Sequence, residues 1–122
     1  MSNSSCAKIK TLYLLKILLE NTDENHKLTV NEIIEKLLEY NITAERKSIY
    51  SDIKLLVDWG LDVACDKGRA NKYFVASRKF KLSELRLIID AVRTYEHISS
   101  EQRVEIINKV KGLTSIYESE KL

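Results

Sequence analysis

The sequence predicts a mainly α-helical chain with one small β-hairpin, an α+β fold, and three observations carry that expectation. Apolar residues recur at helical spacing through most of the 122 residues. A single stretch near the middle alternates apolar and polar residues on both sides of a turn-forming run, which is the pattern of a hairpin. There is no proline and only three glycines, so little punctuates the helices or separates independent domains. A hydrophobic share of 44% supports one buried core of this length.

Residues 1–5 are small and polar and are expected to fray. Over residues 6–21, Ile9, Leu12, Tyr13, Leu15, Ile17 and Leu19 describe a helix with a broad buried face. A polar connection follows, and Thr29 with Glu32 three residues later forms a capping box that opens a second helix within 28–40. Its buried stripe is Ile33, Ile34, Leu37 and Leu38. A short turn at 41–43 buries Ile42 and sets a steep angle to the next helix.

That third helix, residues 43–60, organises the chain. Ile49, Ile53, Leu56 and Val57 fall on one side, and Arg46, Lys47, Tyr50, Ser51 and Lys54 on the other. Thr43 is positioned to N-cap it, and Gly60 stands where a left-handed C-cap residue is wanted. Trp59, close to the helix end, is expected to pack in the core or at a hinge, and Asp52 to orient the basic side chains beside it. Residues 61–65 and 72–76 read as strands around a turn that holds Lys67, Gly68 and Arg69. Ser83 caps a helix reaching about residue 96, with Leu85, Ile88, Ile89 and Val92 on one face. Ser99 or Ser100 opens a last one with Val104, Ile107, Val110 and Leu113, and Gly112 near its end. The expected division is therefore 1–78 for the main domain and 79–122 for a helical extension.

Helix, turn, helix, hairpin is the order of a winged helix-turn-helix, whose second motif helix enters the DNA major groove. The outer face of the third helix suits that role, because Arg and Lys reach phosphates and guanine edges while Ser and Tyr hydroxyls donate to phosphate oxygens. Arg46, Lys47, Tyr50 and Ser51 are expected to face the groove, with Ser48 and Lys54 nearer the backbone. Lys67, Arg69 and Lys72 form the wing. The net charge is only +2, so affinity for nucleic acid rests on local clustering. Such a cluster runs from Lys67 to Lys81 through Arg69, Lys72, Arg78 and Lys79 without an acid.

The run Arg46-Lys47-Ser48-Ile49-Tyr50-Ser51-Asp52-Ile53, followed by Leu55-Leu56 and Trp59-Gly60-Leu61, resembles the DNA-reading helix of bacterial transcriptional regulators that carry a C-terminal WYL domain. In that family a basic pair, Ser or Thr, Ile-Tyr and Asp-Ile recur, and a glycine closes the helix. Ser51 stands where Arg is common. The resemblance extends over nearly the whole chain, but no WYL domain is present in it. It implies the DNA-binding half of a larger regulator or a stand-alone relative of it, with residues 82–122 resembling the linker that in this family often takes part in homodimerisation.

Other function classes find little support. There is no Gly-rich phosphate loop and no nucleophile with a neighbouring His, so an enzyme is not expected. Cys6, Cys65, His26 and His97 are not spaced as metal ligands, and neither metal nor cofactor is expected. Cys65 reads as a small core or half-buried residue. No apolar run spans a bilayer and no signal peptide is present, so a cytoplasmic protein without membrane contact is expected. The rival to DNA reading is a docking or dimerisation module on the same fold, such as a phage or mobile-element inhibitor. Its mark would be exposed aliphatics on the third helix.

Overall fold

The computed structural model describes residues 3–122, with side chains described from Ala7 onward. Met1 and Ser2 of the expected frayed end lie outside the described residues. Helix α1 spans Asn3–Asn21, so residues 3–5 are helical rather than frayed. Strand β1 (Leu28–Thr29) leads directly into α2 (Val30–Leu38), and α3 spans Arg46–Trp59. Strands β2 (Val63–Asp66) and β3 (Lys72–Val75) form the hairpin. The extension contains α4 (Leu82–Thr94), α5 (Ser100–Lys111) and the short α6 (Ile116–Ser119). The molecule is thus mainly helical with a small antiparallel sheet.

One core joins the first three helices to the sheet. Leu14, Ile17 and Leu18 of α1 meet Ile33 and Leu37 of α2, Ile49, Ile53 and Leu56 of α3, and Leu28 and Val75 of the sheet. Each such side chain contributes about 1.5–3 kcal/mol on full burial. The expected face of α1 is rotated: Leu12 is 64% exposed and Ile9 is exposed as well. Residues 12–15 are all apolar, so spacing alone does not set the phase, and the approach of α2 and α3 to Leu14 and Leu18 sets it. Leu38 and Val57, expected in the stripes of α2 and α3, are likewise exposed at the edge.

The caps follow local chemistry where the donors are adjacent in sequence. Thr29 Oγ1 accepts from Glu32 N–H at 3.2 Å, and Glu32 Oε1 accepts from Thr29 N–H at 2.9 Å. Gly60 has φ 124°, and Leu61 N–H donates to Leu56 O at 3.0 Å, closing α3 with the backward bond of a glycine C-cap. Asn41, at φ 62°, does the same for α2, with Ile42 N–H donating to Leu37 O at 3.1 Å. Thr43 is not the N-cap of α3. Residues 42–45 run without regular structure and deliver Ile42 and Ala44 to the core, which leaves Glu45 as the cap residue with no side-chain bond. In the extension Lys81, not Ser83, precedes the first turn of α4, and its N–H donates to Glu84 Oε1 at 2.8 Å.

The sheet contains three strands in the order β1-β3-β2, so the predicted hairpin acquires a partner. Leu28 pairs with Tyr73 and Thr29 with Lys72, while Cys65 faces Tyr73 from the other side. A two-residue strand has no period to detect, which is why β1 is invisible in the sequence.

The extension folds back on the body through a polar cluster. Asp23, 3% exposed, accepts from Ser115 Oγ at 2.5 Å, His26 Nδ1–H at 2.8 Å and Asn25 N–H at 2.8 Å. Burial pushes the Asp23 carboxyl up, but those hydrogen bonds outweigh it and hold the group below its ordinary value. The His26 ring stacks on Tyr117 at 3.7 Å between centroids. Ser115 also caps α6, a helix the sequence reading missed, by accepting from Glu118 N–H at 3.1 Å. At the chain end, Arg93 donates to Leu122 O at 3.2 Å and ties the tail to α4. No helix among the described residues is long and apolar enough to cross a membrane.

Candidate nucleic-acid interface

The outer face of α3 begins polar and becomes apolar. Ile49, Ile53 and Leu56 point into the core, and this phase turns Arg46, Lys47, Tyr50, Ser51 and Lys54 outward, all of them exposed. Further along the same side, Leu55 and Trp59 are exposed too, Trp59 by 70%. Trp59 is therefore neither core nor hinge packing. It is the last residue of α3, beyond the reach of the buried cluster that ends at Leu56.

Of the five outward side chains, three are engaged in internal bonds and two are not. Lys47 and Ser51 make no side-chain hydrogen bond or ion pair among the described residues. Arg46 Nη1 donates to Asn31 Oδ1 at 2.8 Å and Nη2 to Tyr50 Oη at 3.0 Å. Lys54 pairs with Asp58 at 3.1 Å, one turn further along an exposed face, where such pairs contribute only about 0.3–0.5 kcal/mol. Ser48 is half-buried and its Oγ donates to Glu45 O at 2.9 Å, so it belongs to the first turn of the helix more than to the face.

Asp52 departs from its expected role. It pairs with Lys10 of α1 at 2.9 Å, with the two side chains only 14% and 12% exposed, and so braces α3 against α1 instead of orienting Arg or Lys on the outer face. The pair is inward because residue 52 follows the buried flank of α3, one turn from Leu56.

The hairpin places its tip next to the start of α3. Lys67 and Arg69 are exposed in the connection, and Lys72 is exposed at the start of β3, opposite Asp66. The Tyr73 ring lies 6.5 Å from that of Tyr50, linking β3 to α3. Burial, with Cys65 beside it, pushes the Tyr73 hydroxyl above its ordinary value. Cys65 is half-buried, as expected. A groove of about 350 Å³ opens between α2, α3 and the tip, lined by Asn31, Arg46, Tyr50, Arg69 and Asn71 among others.

Tertiary structure divides the basic run from Lys67 to Lys81. Arg78 is half-buried and donates to Thr22 O at 2.7 Å. Burial lowers its pKa, against the pull of Glu118 and Asp23. It is a fastener between the sheet and the end of α1, not part of an outward basic face. Lys27, unremarkable in the sequence, sits beside the hairpin with its Nζ 3.0 Å from Asp66 and 4.8 Å above the Phe74 ring. Asn31 escaped notice as well, because its bond to Arg46 crosses fifteen positions and no local pattern announces it.

Fold and site together define a small α+β protein with an exposed basic helix face beside a basic hairpin tip. No family model matches the chain, and neither a curated protein nor a solved structure does so.

Proposed function

We propose that the chain is the sequence-specific, double-stranded DNA-reading module of a transcriptional regulator, built as a winged helix-turn-helix. Helix α3 enters the major groove and the β2-β3 hairpin lies on the backbone or minor groove. The observation that carries this reading is that the hairpin tip brings Arg69 to the groove on which Arg46 and Tyr50 of α3 stand, with Lys47 and Ser51 exposed further round the helix and Lys67 exposed in the tip, whereas Lys72 lines a separate groove beside Asp66 and Glu32. On α3, Lys47 and Ser51 are the outward polar groups without a side-chain partner among the described residues, which suits contacts to bases or phosphates. Residues 82–122 pair two copies, setting a half-site spacing.

The test is selection from random duplex DNA by the parent and by an Arg46→Glu, Lys47→Glu variant. Enrichment of an inverted repeat by the parent alone supports both specific readout and a dimer. Lys47→Glu by itself should weaken binding at least about fivefold, the lower end of one good contact of ~1–3 kcal/mol.

A second reading has its own observation. Leu55, Val57 and Trp59 are exposed on the C-terminal half of α3, as a protein-docking helix would have them. Failure of the folded parent to enrich any duplex favours this docking module over DNA reading.

A further inference from the structure

Arg46 differs from the paired lysines of the body in what holds it. Lys10, Lys27 and Lys54 each face a carboxylate, at 2.9, 3.0 and 3.1 Å, so their charge is balanced inside the molecule. Arg46 is gripped by two neutral acceptors, Asn31 Oδ1 at 2.8 Å and Tyr50 Oη at 3.0 Å. A guanidinium carries five N–H donors in a planar fork, and these bonds occupy two of them. The direction of the side chain is set while its charge stays uncancelled and its remaining donors stay open.

The place to which Arg46 is fixed has a matching partner. It stands on the groove of about 350 Å³ whose hairpin wall carries Arg69 and Asn71, and no carboxylate among the described residues lines that groove. Two guanidinium-bearing walls, one of them held by hydrogen bonds, make a seat for a tetrahedral anion that accepts from both. Because the rotamer of Arg46 is already ordered by the fold, binding such an anion costs little of the side-chain entropy that a free arginine would lose.

We infer that this groove seats one phosphate of the DNA backbone between Arg46 and Arg69, and that Asn31 is the positioning residue that aims Arg46. The inference rests on the DNA-binding reading above and divides its labour: Arg46 fixes register on the backbone, and base contacts fall to Lys47 and Ser51. The neutral amide at position 31 matters to it. An aspartate there would hold the guanidinium equally well but would cancel the charge that the phosphate needs.

The experiment uses the duplex enriched by the parent, resynthesised with a neutral methylphosphonate at each linkage in turn, with affinity read by fluorescence anisotropy. One linkage in each half-site should cost the parent about tenfold, and the same substitution should cost Arg46→Gln and Asn31→Ala less than about twofold. Asn31→Asp should behave as Arg46→Gln does, although it keeps the hydrogen bond. In Arg46→Gln the dependence of log affinity on log salt should also lose about 0.9 of slope per bound copy, the share of one phosphate in each half-site. Asn31 lies on the exposed side of α2, so its replacement leaves the fold intact. A full methylphosphonate penalty in Asn31→Ala removes Asn31 as the positioning residue, because a merely structural role lowers affinity without touching that coupling. A full penalty in Arg46→Gln, or a loss of base preference there instead, overturns the phosphate seat while DNA reading stands. A parent that binds no duplex overturns both.

Discussion

Removing the Asp23 carboxylate tests how the extension is held. Asp23→Ala deletes the acceptor of Ser115 Oγ, of His26 Nδ1–H and of Asn25 N–H. The last two donors lie at partly exposed positions and can turn to water, but Ser115 is fully buried, and its hydroxyl is left without that acceptor. Losing one charge-assisted buried bond and stranding its donor costs about 3 kcal/mol in all. With a urea m-value of ~1.5 kcal/mol/M, the unfolding midpoint should fall by about 2 M. Amide exchange at Glu118 and Ser119, both bonded to Ser115, should accelerate by more than the global change requires. The pH dependence follows from the lowered pKa of Asp23: its contribution is fully present above the unfolded-state value near 3.8 and is lost as pH falls through the lower folded value. Asp23→Asn should therefore shrink the loss of stability seen below about pH 4. A midpoint shift under about 0.5 M, with exchange in α6 unchanged, would refute the view that this cluster fastens the extension.

Three further outcomes are expected from the body of the fold. Gly60→Ala places a Cβ at φ 124°, where space is open but the backbone is unfavourable, and should cost about 1–2 kcal/mol by thermal or urea unfolding. Thr29→Ala breaks the capping box of α2 and should cost ~1 kcal/mol, whereas Thr43→Ala, outside the cap, should cost less than about 0.5 kcal/mol. Trp59→Ala should change stability by no more than about 0.5 kcal/mol, and native Trp59 emission should be red-shifted and open to iodide quenching. Blue, shielded emission would place that ring in a contact the monomer does not make.

The extent to which the fold was legible depended on the range of the forces involved. The capping box at Thr29 and Glu32 and the closing turn at Gly60 were readable because donor, acceptor and backbone preference lie within five residues of one another. So was the outward face of Arg46, Lys47, Tyr50, Ser51 and Lys54, since the period of an α-helix and the apolar run of Ile49, Ile53 and Leu56 leave it only one side. The hairpin was readable from its alternation and α4 from its stripe at Leu85 and Ile89, whereas the stripe expected on α5 is not a buried one: Val104 is exposed, and Leu113 is exposed beyond the helix end.

What the chain order leaves open is which faces meet. Leu14 and Leu18 displace Leu12 from the core only because α2 and α3 arrive on that side of an apolar helix. Strand β1 exists because β3 offers it an edge, and α6 because Asp23, ninety-two positions earlier, accepts from the Ser115 that caps it. The same holds for the candidate site. Its residue types were written locally, yet the pairing of Asp52 with Lys10, the withdrawal of Arg78, the exposure of Trp59 and the grip of Asn31 on Arg46 are contacts between distant segments. Hydrogen bonds and ion pairs act over a few ångströms, so only the packed chain brings such partners within reach.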